Sequence, residues 1–177
     1  MSTLNEYLDQ KRAAVLARNG RDPNTVEPVK LRAHVSAEGR SGVRRIRIRD
    51  HQVVSDSPAD FAGYDLGPSS PELLLGSLGS CLTHIFLIKA AELELPLESL
   101  QVEIEGDLDP RGGKPGYERV PFFPHNIRYT AHIVSPADES AVRAVHEAVE
   151  QWCPILNLLK QPQPLEGRLL HTRTAAQ

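Results

Sequence analysis

Residues 73–88 carry no acidic or basic side chain other than His84. An apolar run of that length has to be hidden from water, so the rest of the chain must be built around it. It is shorter than the roughly 20 residues that span a bilayer. It also holds Gly76, Ser77, Gly79, Ser80, Thr83 and His84. The expectation is therefore a helix buried inside a folded domain. Ser69 or Ser70 supplies an N-cap, Pro71 suits the first helical position, and Glu72 places a negative charge in the first turn. Pro96 sets the far limit, and the helix is expected to run to about Glu92. It is apolar nearly all round, as an interior helix should be. Gly76 and Gly79 weaken it locally and predict a kink or break just before Cys81.

The flanking segments read as smaller elements. Residues 4–18 have Leu4, Tyr7, Leu8, Val15 and Leu16 at helical spacing, with Gly20 as a stop. Residues 20–28 are a loop broken by Pro23 and Pro28. Residues 29–37 alternate apolar and polar, and so do residues 43–49, around a turn containing Gly39 and Gly42. That pattern predicts a hairpin, with Val53 and Val54 opening a third strand. Residues 100–108 and 127–134 read as two further strands. Residues 110–116 are a glycine- and proline-rich excursion. A helix is expected from Ser135 and Pro136 through Trp152, then a short turn or helix from Cys153 and Pro154. Residues 165–171 read as a last strand. The order of elements points to an α+β fold with antiparallel or mixed sheets.

Composition narrows the function. Hydrophobic residues make up 40% of the chain, enough for a real core. A net charge of −3 argues against a nucleic-acid binder held by phosphate contacts. The first twenty residues are charged throughout and contain no apolar block, so no secretory signal is expected. Two cysteines in 177 residues do not make a disulfide scaffold. In a reducing cytoplasm such a pair is structural, metal-binding or redox-active.

Sulfur is the best candidate nucleophile here. A thiol needs help to ionise near neutral pH, because its free pKa is about 8.5. A helix break at Gly79 and Ser80 would aim free N–H groups at Cys81. The arginines at 40, 44, 45, 47 and 49 crowd the hairpin and are within plausible reach. Glu72, on the same element as Cys81, could orient one of them through a bidentate pair. The plain alternative is packing, since free cysteine is among the most buried residue types.

The run Pro71-Glu72-Leu73-Leu74-Leu75-Gly76-Ser77-Leu78-Gly79-Ser80-Cys81-Leu82 and the residues leading to it from Asp65 resemble the signature of the OsmC/Ohr superfamily. Residues 102–109 and the segment Cys153-Pro154-Ile155-Leu156-Asn157-Leu158-Leu159 resemble two further motifs of that family. The resemblance covers residues 29–177 and leaves residues 1–28 as a helical arm and linker. It implies an OsmC-like fold, with sheets wrapped around long central helices in an intertwined homodimer. It also implies a thiol-dependent peroxidase that reduces organic hydroperoxides, needs no cofactor and is recharged by an external dithiol. On this resemblance Cys81 corresponds to the peroxidatic cysteine and Cys153 to the resolving one. Arg40 is the candidate for the family's thiolate-stabilising arginine. The family's glutamate lies ten residues before the cysteine. That position here is Pro71, and Glu72 follows it, turned by about 100° on a helix. Glu72 is therefore either the displaced catalytic carboxylate or a first-turn helix charge. The displacement resembles the less characterised OsmC-like branch.

Two other readings compete. One is a non-catalytic OsmC-like protein that binds a small apolar ligand at the dimer interface. The other is a zinc site, with Cys81 and His84 three residues apart on one helix and Cys153 as a further ligand; a fourth ligand is not evident. Neither nucleic acid nor membrane is expected as a partner, and the expected location is the cytoplasm.

Overall fold

A computed structural model describes residues 3–173. The elements in chain order are α1 (Leu4–Asn19), β1 (His34–Glu38), β2 (Val43–Ile48), β3 (His51–Ser55), α2 (Ser70–Glu92), β4 (Ser99–Asp107), β5 (His125–Val134), α3 (Glu139–Trp152) and α4 (Pro154–Lys160). Short 3-10 turns occupy Pro23–Thr25 and Ala59–Phe61. The architecture is α+β, as the alternating pattern predicts, and every strand pairing is antiparallel.

The apolar run forms α2, with Ser69 as its N-cap. The Glu72 carboxylate accepts from the Ser69 backbone N–H at 2.6 Å and from the Ser69 hydroxyl at 2.7 Å. The expected break before Cys81 does not occur, and the helix is continuous from Ser70 to Glu92. Gly79 serves packing instead. A Cβ on Gly79 would stand 3.1 Å from Cγ1 of Ile104 on β4. The missing side chain lets the helix lie close on the sheet, which repays the lower helix propensity.

β4 and β5 form a two-stranded sheet, with Val102 opposite Ala131 and Ile104 opposite Tyr129. Their inward residues pack against the core around α2. The core joins Leu78, Leu82, Ile85 and Phe86 of α2 to Val145 and Val149 of α3 and Leu156 of α4. α1 lies along α2. Its Leu8 is buried in the same core, Asn5 Oδ1 accepts the Leu97 N–H at 2.8 Å, and Arg12 pairs with Glu94. α2 is long and apolar enough to cross a bilayer, but here it is the central core helix.

β1, β2 and β3 make a separate meander. Val35, Ile46 and Val53 stand in one row across it. Among the described residues no helix packs substantially on this sheet. Its anchor to the chain is polar. Buried Asp56 accepts the N–H groups of Tyr64 and Leu66 at 3.0 and 3.1 Å, and Arg44 donates to Ser55, to Ser57 and to the Asp56 carbonyl.

Three expected boundaries are corrected. The first strand begins at His34, not at residue 29, because residues 29–33 have no neighbour to pair with. α3 begins at Glu139, capped by the Asp138 side chain that accepts from the Ala141 N–H at 2.9 Å. Ser135 instead donates its hydroxyl to the Pro96 carbonyl at 2.6 Å. Residues 165–171 form no strand. Leu165 and Leu169 are exposed, so the apolar alternation there has no partner within this chain.

Candidate functional site

Cys81 sits mid-way along α2, half-buried, and packs against the core. Cys153 sits at the junction of α3 and α4, fully buried. The junction is an extended step at φ −73°, ψ 113°, imposed by Pro154, which restricts the residue before it. Asn157 holds this step. Its side-chain amide donates to the carbonyls of Cys153 at 2.9 Å and of Glu150 and Gln151 at 3.2 Å each. The Glu150 and Gln151 carbonyls end α3, where Pro154 interrupts the backbone ladder, and the Cys153 carbonyl also accepts the Asn157 backbone N–H at 3.0 Å.

Both cysteines are free thiols. Burial pushes the Cys153 thiol above its usual range, because a thiolate is poorly solvated there. The Leu156 and Ile155 N–H groups pull the other way without closing a capping hydrogen bond. The Cys81 side chain is near enough to add to the upward push. α2 and the α3–α4 junction, far apart in sequence, thus bring the two sulfurs together.

The other expected site residues lie elsewhere in the chain. Arg40 is exposed on the turn between β1 and β2 and shares an open cleft with Glu38, Tyr64 and Leu66. Among the described residues it makes no hydrogen bond or ion pair. Of its neighbours, Arg45 pairs with Glu38, and Arg44 holds the loop at Asp56. The Glu72 carboxyl is held below the usual carboxylate range, first by the Ser69 hydroxyl and then by the Ser69 N–H. In the single chain it caps α2 through Ser69. The continuous helix also removes the free N–H groups that a break would have aimed at Cys81.

His84 faces α1, where burial first, then Lys11 and Arg18, push its pKa down. Among the described residues no group of three or more His, Cys, Asp or Glu side chains could hold a metal ion. The zinc reading therefore has no ligand set.

A polar cluster beside Cys153 escaped the sequence reading. The Tyr129 hydroxyl, from β5, meets Nε2 of His146 at 2.9 Å and donates to the Glu150 carboxylate. The other oxygen of Glu150 accepts from Lys160 Nζ at 2.6 Å. His146, Glu150 and Cys153 follow one another at i, i+4 and i+7, a single helix stripe. The sequence placed Tyr129 only within the strand at residues 127–134. The spacing on α3 was the available signal.

The profile of the family described as OsmC-like protein matches residues 63–167. The chain belongs to the OsmC-like protein family. An OsmC-like protein from Mycoplasma pneumoniae superposes with a TM-score of 0.64 at 18% identity, covering 76% of this chain and 89% of that one. An organic hydroperoxide resistance protein OsmC from Legionella pneumophila gives 0.55 at 15% identity, covering 76% and 92%. An OsmC-like protein of unknown function from Vibrio cholerae gives 0.56 at 13% identity, covering 73% and 93%. At these identities the likeness establishes the OsmC-like fold. No curated protein sequence matches the chain.

Proposed function

We propose that this protein is a thiol-dependent peroxidase that reduces organic hydroperoxides in the cytoplasm. The observation that carries the reading is the convergence of its only two cysteines, one half-open and one sealed behind it. The fold it shares with an organic hydroperoxide resistance protein from Legionella pneumophila points the same way. Cys81, as thiolate, attacks the substrate's O–O bond. The bond breaks, the departing alkoxide takes a proton to become an alcohol, and Cys81 becomes a sulfenic acid. Cys153 then attacks that sulfur. The S–O bond breaks, water leaves, and a Cys81–Cys153 disulfide remains. An external dithiol returns both thiols and is itself oxidised.

Among the described residues of one chain, Cys81 has no guanidinium partner and Arg40 no carboxylate. A homodimer accounts for both. A second copy that covers the bare face of the meander can bring its Arg40 turn to Cys81, where a guanidinium favours the thiolate. Glu72 at the head of the same helix can fix that arginine while still capping α2.

The test is a titration with less than one equivalent of cumene hydroperoxide, followed by peptide mapping. The expected product is a Cys81–Cys153 disulfide, with Cys81→Ser inactive. The Cys153→Ser variant is expected to stop at a sulfenic acid that dimedone labels. Full turnover in Cys81→Ser, or thiols left intact by the hydroperoxide, overturns the proposal and favours the non-catalytic, ligand-binding reading.

A further inference from the structure

The loop between β3 and α2 is built inside out. Its carboxylate, Asp56, is 1% exposed, while Tyr64 and Leu66 are 66% and 64% exposed. A loop that serves only as a connection leaves its charges in water and hides its large apolar side chains. Tyr64 and Leu66 line an open cleft of about 590 Å³ together with Glu38, Gly39, Arg40 and Ser41 at the β1–β2 turn. In the peroxidase reading above, the Arg40 turn meets Cys81 of a second copy. Resting on that reading, we infer that Asp56 is a positioning residue. It fixes Tyr64 and Leu66 as the wall that holds the carbon group of the hydroperoxide.

The geometry runs through the backbone. Oδ2 of Asp56 accepts the N–H groups of Tyr64 at 3.0 Å and of Leu66 at 3.1 Å, the two wall residues themselves. The Leu66 N–H first, and then that of Ser57, hold the carboxyl below its usual range, so it is a carboxylate that only accepts. The rest of the loop has no slack. The Ser57 carbonyl accepts the Asp65 N–H at 3.2 Å. A Cβ on Gly63 would stand 1.8 Å from that same oxygen, and one on Gly67 2.4 Å from the Val54 carbonyl oxygen. Ala62 and Asp65 hold left-handed φ angles of 57° and 55°, a conformation that persists only where the surroundings impose it. Arg44 ties in the other side of the cleft. It stands on β2 opposite Ala37 of β1, and it donates to the Ser57 hydroxyl at 2.9 Å and the Asp56 carbonyl at 2.6 Å. The strands that carry the Arg40 turn and the loop that carries Tyr64 and Leu66 therefore meet at one buried point, which sets the width of the cleft.

The cleft offers an organic hydroperoxide two unlike surfaces. Arg40 lines it with no ion-pair partner among the described residues, since the neighbouring Glu38 is taken by Arg45. The O–O end of the substrate goes to this guanidinium, beside the Cys81 thiolate of the other copy. The alkyl or aryl group lies on the Tyr64 ring and the Leu66 side chain. Apolar area that leaves water there favours binding in proportion to its size. Hydrogen peroxide has no such group and gains nothing from the wall. Asp56 touches neither substrate nor sulfur and acts only through the backbone of the two residues that do the holding.

The experiment compares kcat/KM for cumene hydroperoxide with kcat/KM for hydrogen peroxide, on the full chain with dithiothreitol as reductant. In Tyr64→Ala and in Leu66→Ala the ratio of the two is expected to fall on the order of 10-fold, the scale of a lost apolar contact. Both side chains are exposed, so their removal spares the fold. Asp56→Asn should lower the ratio too, mainly as a higher KM for cumene hydroperoxide. An unchanged ratio in the wall variants, including an equal loss with both peroxides, overturns the inference. A ratio that falls in the wall variants and holds in Asp56→Asn overturns the positioning role. Amide exchange on the wild type checks that role without any Asp56 variant. The Tyr64 and Leu66 N–H groups should be protected although their side chains lie in water, and exchange at the free-peptide rate overturns it. The peroxidase reading fails separately, if the wild type consumes neither peroxide. The wall is then read by NMR titration with 2-phenylpropan-2-ol, the alcohol that cumene hydroperoxide would leave. Its binding should weaken on the order of 10-fold in the wall variants. Equal binding, or none to the wild type, overturns the inference.

Discussion

Glu150 shows how one side chain can serve two surroundings. One oxygen holds a half-buried phenol and the other holds a lysine at the surface. Its carboxyl is depressed in the folded chain, so it adds stability above the ordinary carboxylate pKa. That stability is lost as pH falls through the depressed value. In Lys160→Met the first cause of the depression is gone. Urea midpoints should then fall less steeply with acid than in wild type. The difference at neutral pH should be small, at most about 0.5 kcal/mol, because the pair is substantially exposed. An unchanged acid limb would mean that Lys160 contributes nothing to Glu150. At this scale the sequence was only partly legible. Both cysteines stand out by their motifs. Tyr129 and His146 do not, since their roles depend on β5 lying against α3, and no local pattern announces that.

α2 is the element that the sequence announces most clearly, and its ends fall where Ser69, Pro71 and Glu92 place them. Gly79 was misjudged because propensity counts only the helix itself. Gly79 is set by what lies across from it, the Ile104 side chain. Gly79→Ala tests this. Alanine gains about 1 kcal/mol of helix propensity. Pressing a methyl group into Ile104 costs about 1–3 kcal/mol. The net expectation is a loss of about 1 kcal/mol in a urea titration. A gain in stability would show that α2 can ride off β4 freely. Residues 165–171 show the converse error. Leu165, Gly167 and Leu169 alternate with Glu166 and Arg168 well enough to suggest a strand, but a strand needs a neighbour, and alternation cannot say whether one exists.

The whole molecule has one core where its element list suggests two. The helices and the β4–β5 sheet share it, while the β1–β3 meander stands aside with an apolar row that no helix covers substantially among the described residues. That layout is what a dimer in which each copy completes the other would require. Light scattering should then return twice the 19.6 kDa chain mass. Val35 is 55% exposed in the single chain, so Val35→Asp would be nearly neutral for a monomer. For a dimer sealed over that row, the buried charge should split the particle into single chains. A wild-type particle of one-chain mass would refute the assembly and leave Arg40 without a role at Cys81. The sealing of Cys153 has a consequence for damage under excess oxidant. Over-oxidation beyond the sulfenic stage should strike Cys81 alone and leave its partner a pristine thiol. A spent molecule would then carry its injury at a single address, and intact-mass spectra of protein from stressed cells would show it there.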